Sequence, residues 1–271
     1  MEGKKFTLIT GASRGLGKCL AEACAKRHMN LLLVALPGEG IHRTAALFSD
    51  RYGVCTKAYE TDLTHDDELQ RLSNEINRDY AVNILINNAG TGGTHAFQSV
   101  SIQYIDTIVF LNIRALVILT HNLLPNLRKH SQSYILNIAS LASFGPMPFK
   151  TIYPASKAFV YSFSRGLYAE LRGSNVFVSV AHPGGMATNP DTTKRINRHG
   201  WLVRSTILPV EKTAEISIRR LLQKDSLIIP GIMNKISWLF FKLTPVWLRL
   251  WIFSKALQKE ITDYNRVWYA D

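Results

Sequence analysis

This chain of 271 residues predicts a single doubly wound α/β domain built on a seven-stranded parallel sheet. Three observations predict it. Short apolar runs alternate with helical segments along the chain, the runs are apolar throughout rather than alternating, and 46% apolar content can fill a large core. Parallel strands covered on both faces have no solvated side, which is why they read as continuous apolar runs.

The first strand is Lys5 to Thr10, and the chain leaves it through Thr10-Gly11-Ala12-Ser13-Arg14-Gly15-Leu16-Gly17 into a helix over Gly15 to His28, with Ala21, Ala23 and Ala25 inside it. Strand, glycine turn and helix together bring backbone N–H groups at a helix N-terminus to where a pyrophosphate can approach without meeting side chains. The spacing Gly-x-x-x-Gly-x-Gly differs from the G-x-G-x-x-G fingerprint, and a glycine turn also occurs as turn chemistry alone. Strands follow over Asn30 to Ala35, Val54 to Tyr59, Ile84 to Asn87, Tyr134 to Ala139, Val176 to Ala181 and Leu227 to Pro230. The helices between them run over Gly40 to Tyr52, Asp66 to Asp79, Ile102 to Leu127, Ile152 to Gly173 and Val210 to Gln223. No repeat, linker or low-complexity segment interrupts this order, so residues 1–230 form one domain and 231–271 a helical extension.

The segment Ser140 to Lys157 carries the clearest chemistry. Tyr153 and Lys157 stand one helical turn apart and therefore on one face, provided Pro154 lies in the first turn, where a missing N–H costs nothing. A free phenol has a pKa of about 10. Lowering it by roughly 3 units needs about 4 kcal/mol, which a cation about 4 Å away supplies in an effective dielectric near 20. The same spacing also occurs as a solvated pair on a helix surface. Among other residues, Cys19, Cys24 and Cys55 lack metal-ligand spacing and read as reduced core thiols, and no metal site is expected. The first strand begins within a few residues of Met1 with no apolar leader ahead of it, so an intracellular, cytoplasmic protein is expected.

Taken together the motifs resemble the short-chain dehydrogenase/reductase family from Lys5 to about Pro230. They are Thr10-Gly11-x-x-x-Gly15-x-Gly17, Asp62-Leu63, Asn87-Asn88-Ala89-Gly90, Asn112, Ser140, Tyr153-x-x-x-Lys157, Pro183-Gly184 and Thr188, in family order. The resemblance implies a Rossmann-type fold and a hydride exchange with a nicotinamide. Tyr153 would exchange the proton, Ser140 would hold the substrate oxygen, Lys157 would lower the Tyr153 pKa and bind the ribose hydroxyls, and Asn112 would hold a relay water. Taken singly, Ser140 also reads as a cap and Asn112 as a helix amide satisfied by local backbone. The resemblance further implies cofactor contacts at Gly11, Ser13, Arg14, Gly15, Leu16, Gly17, Asp62, Leu63, Asn88, Ala89, Gly90, Tyr153, Lys157, Pro183, Gly184 and Thr188. Asp62 also reads as a helix cap, and Asn87 to Gly90 and Pro183-Gly184 as turn chemistry.

Cofactor choice turns on the end of the second strand, where Leu36 is neither the acid of NAD users nor the arginine of many NADP users. Arg14 and Arg43 favour NADP and Glu39 favours NAD, with Pro37 and Gly38 expected to turn Glu39 outward. NADP is therefore expected, with NAD as the alternative.

The extension carries three tryptophans, three phenylalanines, five basic residues (Lys235, Lys242, Arg249, Lys255, Lys259) and no acid over 231–259. Two helical pieces broken near Pro245 are expected, and the charges argue against a spanning helix. Two readings remain open, a lid or packing element with its cations merely solvated, or an interfacial anchor meeting anionic lipid in peripheral membrane contact. Both imply an apolar carbonyl or alcohol substrate. The formal charge of +12 comes without a nucleic-acid recognition motif, so no nucleic-acid partner is expected. The sequence around Ser140 and Tyr153 looks most like the branch of 3-ketoacyl-CoA reductases and 17β-hydroxysteroid dehydrogenases. By the same resemblance a homo-oligomer, dimer or tetramer, is expected through the helices at 102–127 and 152–173. A catalytically vestigial nucleotide-binding, membrane-docking module is the competing function.

Overall fold

A computed structural model describes residues 3–186 and 207–255. Its elements, in chain order, are β1 (Lys5–Thr10), α1 (Gly15–Ala25), β2 (Asn30–Ala35), α2 (Ile41–Tyr52), β3 (Thr56–Glu60), α3 (Asp66–Asp79), β4 (Ala81–Asn87), α4 (Ile102–Leu127), β5 (Ser133–Ile138), α5 (Ile152–Glu170), β6 (Val176–Ala181), α6 (Val210–Leu222), β7 (Leu227–Ile228) and α7 (Ile232–Leu243). A further helix, α8, runs over 246–255. All seven strands pair in parallel, in the order β3-β2-β1-β4-β5-β6-β7. The chain winds outward from β1 and then returns to β4. Strand order reverses at that step, which opens a crevice at the carboxyl ends of β1 and β4.

Side chains alternate across the strands into two cores. Leu16, Leu20 and Cys24 of α1, Phe48 of α2 and Ile218 and Leu221 of α6 pack on Ile9, Leu31, Leu33 and Ile86. On the opposite face, Leu69, Leu72 and Ile76 of α3 and Leu119 and Leu123 of α4 pack on Phe6, Leu8, Leu32, Leu85 and Ile135. Leu85 is fully buried in the central strand. Leu85→Ala is expected to cost about 2–5 kcal/mol in urea unfolding, because the rigid strand cannot collapse into the cavity.

Most boundaries agree with the sequence reading, and the differences have local causes. β4 begins three residues earlier than its apolar run because Lys5 and Phe6 pair with Ala81 and Val82, after which the register shifts past Asn83 to Thr7↔Ile84. The polar Asn83 therefore hides the start of the strand. α1 stops at Ala25, and His28 takes a left-handed φ of 57° as the chain turns toward β2. α3 carries Asp66, Asp67 and Glu68 in its first turn, favourable at the positive end of the helix dipole. Its Glu68 carboxylate reaches back to accept the Asp62 N–H at 2.7 Å.

α4 runs as expected but contains a π turn over Phe110–Ala115 that holds Asn112. With a mean hydropathy of 1.7 it is long and apolar enough to cross a bilayer. Its Leu119, Leu123 and Leu127 are instead buried in the core on the sheet. The three cysteines are free thiols, with Cys24 buried in the core and Cys19 and Cys55 only half-buried against it. Burial pushes the Cys24 thiol up to about 12, so it stays protonated in the core.

Candidate functional site

The glycine turn after β1 is held by the strand beside it. The Thr10 hydroxyl accepts the N–H groups of Asn88 and Ala89, both at 3.0 Å, and the Asn88 side-chain amide donates to the carbonyls of Thr10 and Gly11 at 3.0 and 3.1 Å. Gly11 has φ +65°, and a Cβ on Gly17 would fall inside the Gly11 carbonyl oxygen. These two glycines are therefore required by the turn itself. Arg14 precedes α1 without a side-chain cap and the first turn holds no acid, leaving backbone donors and a positive helix end facing the crevice. Such an uncapped end fits the pyrophosphate of a dinucleotide.

The other expected cofactor residues divide into exposed groups and scaffold. Leu16 and Leu63 have their side chains in the core, so only their backbone can face a ligand. Asn88 spends its amide on the turn. Asp62 is partly spent as well, since its Oδ1 accepts from the Thr64 N–H at 2.9 Å and the Thr64 hydroxyl at 2.7 Å. Thr188 lies outside the described residues. Glu39 departs from expectation: instead of turning outward, its carboxylate accepts the Ser13 hydroxyl at 2.6 Å and pairs with Arg14 at 3.2 Å. Two charge-assisted contacts outweigh the outward bias of the Pro37-Gly38 turn.

Tyr153 and Lys157 fall on one face of α5 with Pro154 in its first turn, as the spacing requires. Lys157 is buried, donates to the Ile138 carbonyl at 2.9 Å, and places its Nζ 6.0 Å from the centre of the Tyr153 ring. Ser140 opens the turn after β5, its Oγ accepting the Ala142 N–H at 3.2 Å, and stands near enough to the Tyr153 phenol to act on its pKa. Burial raises the phenol above its ordinary range and Ser140 only partly opposes this, so the expected depression by Lys157 is absent here. Burial also pushes Lys157 down to about 8, which weakens the very cation that was to act.

Asn112 does not bond only to local backbone. Its Oδ1 accepts the Thr91 N–H at 2.9 Å, and its Nδ2 donates to the Thr91 carbonyl at 2.9 Å and to the Ser156 hydroxyl at 3.0 Å. The π turn of α4 is thereby fastened both to the loop after β4 and to α5. Gly90 has no side chain because a Cβ there would lie 3.0 Å from Asn112 Oδ1 and 3.2 Å from Lys157 Nζ. Tyr153, Lys157, Ser140, Asn112 and Gly90 thus meet at the carboxyl end of the central strands.

Several participants went unnoticed in the sequence. Ser156 links Asn112 to the Tyr153 carbonyl, to which it donates at 2.8 Å. Gly92 is the point where the Tyr153 ring crosses the backbone, since a Cβ there would strike it. Phe149 has φ +62°, a strained conformation for an aromatic residue, and its carbonyl accepts the His95 N–H at 2.7 Å. His95, Phe97, Tyr104 and Phe149 line a small cleft of mixed polarity beside Tyr153, together with Lys150 and Thr151. Only the residue adjoining Pro183-Gly184 offered a usable signal.

That residue, His182, is fully buried, with Nδ1 3.0 Å from the Ser140 carbonyl oxygen and 2.9 Å from the Ser143 hydroxyl. Its ring packs at a tilt against Phe144, 4.4 Å between ring centres. Burial, with a smaller repulsion from Lys157, pushes its pKa down to about 4. Between about pH 6.5 and 4 the unfolded chain binds a proton that the folded one refuses, so stability falls as pH falls through that window. The full loss is about 3 kcal/mol. Urea unfolding of the parent protein should show it, and His182→Gln should flatten it.

The extension packs onto the same turn. Asn234 of α7 abuts Gly184, Phe241 abuts Gly145, and the buried Arg249 of α8 donates to the Phe144 carbonyl. Arg249 is therefore not merely solvated. The break near Pro245 is present, and Lys259 lies outside the described residues.

The model of the short chain dehydrogenase family matches residues 5–199. The very-long-chain 3-oxoacyl-CoA reductase of Anas platyrhynchos is 32% identical over 187 residues, a stretch covering 68% of this chain and 60% of that protein. Inactive hydroxysteroid dehydrogenase-like protein 1 of Homo sapiens is 28% identical over 263 residues, 94% of this chain and 78% of that protein. A short-chain dehydrogenase from Sphingobium yanoikuyae in complex with NADPH is 29% identical with a TM-score of 0.77, over 88% of this chain and 92% of that one.

Proposed function

Because the chain belongs to the short chain dehydrogenase family, we propose that it exchanges a hydride between NADP(H) and a ketone or secondary alcohol on an apolar skeleton, with Tyr153 as general acid and base. The convergence of Tyr153, Ser140 and Lys157 beside Gly90 carries this reading. The backbone at Gly11, Gly15 and Gly17 would hold the pyrophosphate, Lys157 the ribose hydroxyls and Thr188 the carboxamide. A bound dihydronicotinamide supplies the hydride.

In the reducing direction the Ser140 hydroxyl orients the carbonyl oxygen and Tyr153 gives that oxygen its proton. The phenolate left behind recovers its proton from solvent, and the Lys157 cation serves to hold the ribose hydroxyls. A phenol raised by burial holds its proton at neutral pH, which suits the acid role. Lys157 is charged below about 8 and neutral above it. The kcat/KM for reduction is therefore expected to fall as pH rises through that value, read from a pH profile.

The phosphate preference is supported by the exposed Arg14 and by an NADPH-bound neighbour. Glu39 opposes it, since a 2′-phosphate has to take Arg14 and Ser13 from that carboxylate. Glu39→Gln should therefore tighten NADPH more than NADH. An acyl or steroid-type skeleton is supported by the names of the relatives. A homo-oligomer through α4 and α5 is supported by Ile102, Val109, Phe110 and Phe159, which are exposed on those helices.

A vestigial module is the second reading, favoured by one relative that is named inactive. The test follows NADPH and NADH oxidation across ketosteroids, 3-ketoacyl thioesters and small aldehydes. NADPH oxidation with the apolar ketones is the expected result. Oxidation only with small aldehydes would contradict the substrate class, and none with any carbonyl would favour the module.

A further inference from the structure

α7 and α8 hold to the protein through Asn234, Phe241 and Arg249 and turn apolar stripes outward. On α7 the inward positions are Asn234 and Phe241, and on α8 the inward position is Arg249, all buried. On the opposite side of α7, Ile232, Ile236, Leu239 and Leu243 recur at i, i+4, i+7 and i+11, about 180° around the helix from those anchors. Trp247 and Trp251 stand in the same relation to Arg249. Ile232, Ile236, Leu243, Trp247 and Trp251 are each more than half exposed. A surface stripe of this size on two successive helices needs a cover.

The charges beside the stripes say what kind of cover. Lys235 and Lys242 flank the α7 stripe along one edge and Lys255 flanks the tryptophans of α8, all three exposed. Lys242 lies over the Trp238 ring at 5.5 Å and Lys255 over Trp251 at 4.1 Å. No acid occurs anywhere in 231–259. A two-fold contact between copies of this face would set these lysines near one another with no carboxylate in the segment to pair them. Anionic headgroups supply the missing negative charge, and the tryptophans fit the headgroup boundary.

We propose that the outward faces of α7 and α8 dock on an anionic lipid bilayer, lying in its surface rather than crossing it. Docking ties the turn that carries Ser140 to the membrane-bound helices through the inward Arg249 and Phe241 contacts. The proposal stands on this surface alone and does not require turnover.

The test is flotation of the full chain with vesicles of phosphatidylcholine alone and of phosphatidylcholine mixed with phosphatidylglycerol, with tryptophan emission as a second readout. The parent protein should float with the anionic vesicles and shift its emission to the blue. Each of Lys235→Gln and Lys242→Gln should weaken binding roughly fivefold. The double substitution Trp247→Ser, Trp251→Ser should abolish the blue shift while thermal unfolding stays unchanged, because both side chains are exposed. Absence of flotation, or equal flotation of parent and variants, would overturn the proposal. A concentration-dependent oligomer lost in the tryptophan variant, without lipid binding, would assign the face to a second copy instead.

Discussion

Tyr153→Phe is expected to lower the turnover of an apolar ketone by roughly 10²- to 10⁴-fold, the range that a positioned general acid contributes. Nucleotide binding should stay unchanged, because the substitution keeps the ring that crosses Gly92 and removes only the hydroxyl. Stopped-flow turnover and NADPH fluorescence titration on the same preparation separate the two effects. Turnover equal to that of the parent would move the proton transfer to another residue. Lys157→Met should behave differently: it removes a buried group bonded to Ile138 and facing Gly90, so nucleotide affinity should fall along with turnover.

Gly17→Ala is expected to weaken NADPH binding by at least tenfold and to lower the unfolding temperature. The added Cβ would overlap the Gly11 carbonyl oxygen and come within 2.5 Å of the Asn88 amide nitrogen. Neither can retreat cheaply, since that amide already holds Thr10 and Gly11 in place. The start of α1 has to shift, and with it the uncapped backbone donors that face the crevice. Gly166→Ala is the control, because a Cβ at Gly166 in α5 meets nothing within 4 Å. There the substitution should be neutral or stabilise by about 0.5–1 kcal/mol through helix propensity. Calorimetry with NADPH on both variants distinguishes a clash at the turn from a general intolerance of larger residues.

The fold and the meeting of Tyr153 with Lys157 were legible because they follow from short-range patterns. Continuous apolar runs mark strands covered on both sides, and i, i+4 spacing alone puts Tyr153 and Lys157 on one face of α5. The strand starts that were missed sit at polar residues such as Asn83, where a register shift absorbs what the pattern rejects. Electrostatics was the larger gap. The sequence places a cation beside a phenol, but burial depends on what the rest of the chain packs above them, and that packing raises Tyr153 and lowers Lys157. Glu39 shows the same limit, as its pairing with Ser13 and Arg14 joins residues 25 or more positions apart. The roles of His182 and Arg249 were out of reach for a related reason. Their meaning lies in contacts with Ser140 and Phe144 that only the folded chain brings together.

The most direct measurement uses NADPH deuterated at one face of the nicotinamide C4, incubated with the protein and a ketosteroid or a 3-ketoacyl thioester. Mass spectrometry of the alcohol should find one deuterium at the former carbonyl carbon from one labelled face and none from the other. If the nucleotide binds but neither face delivers deuterium to any ketone offered, the site does not perform the hydride exchange assigned to it.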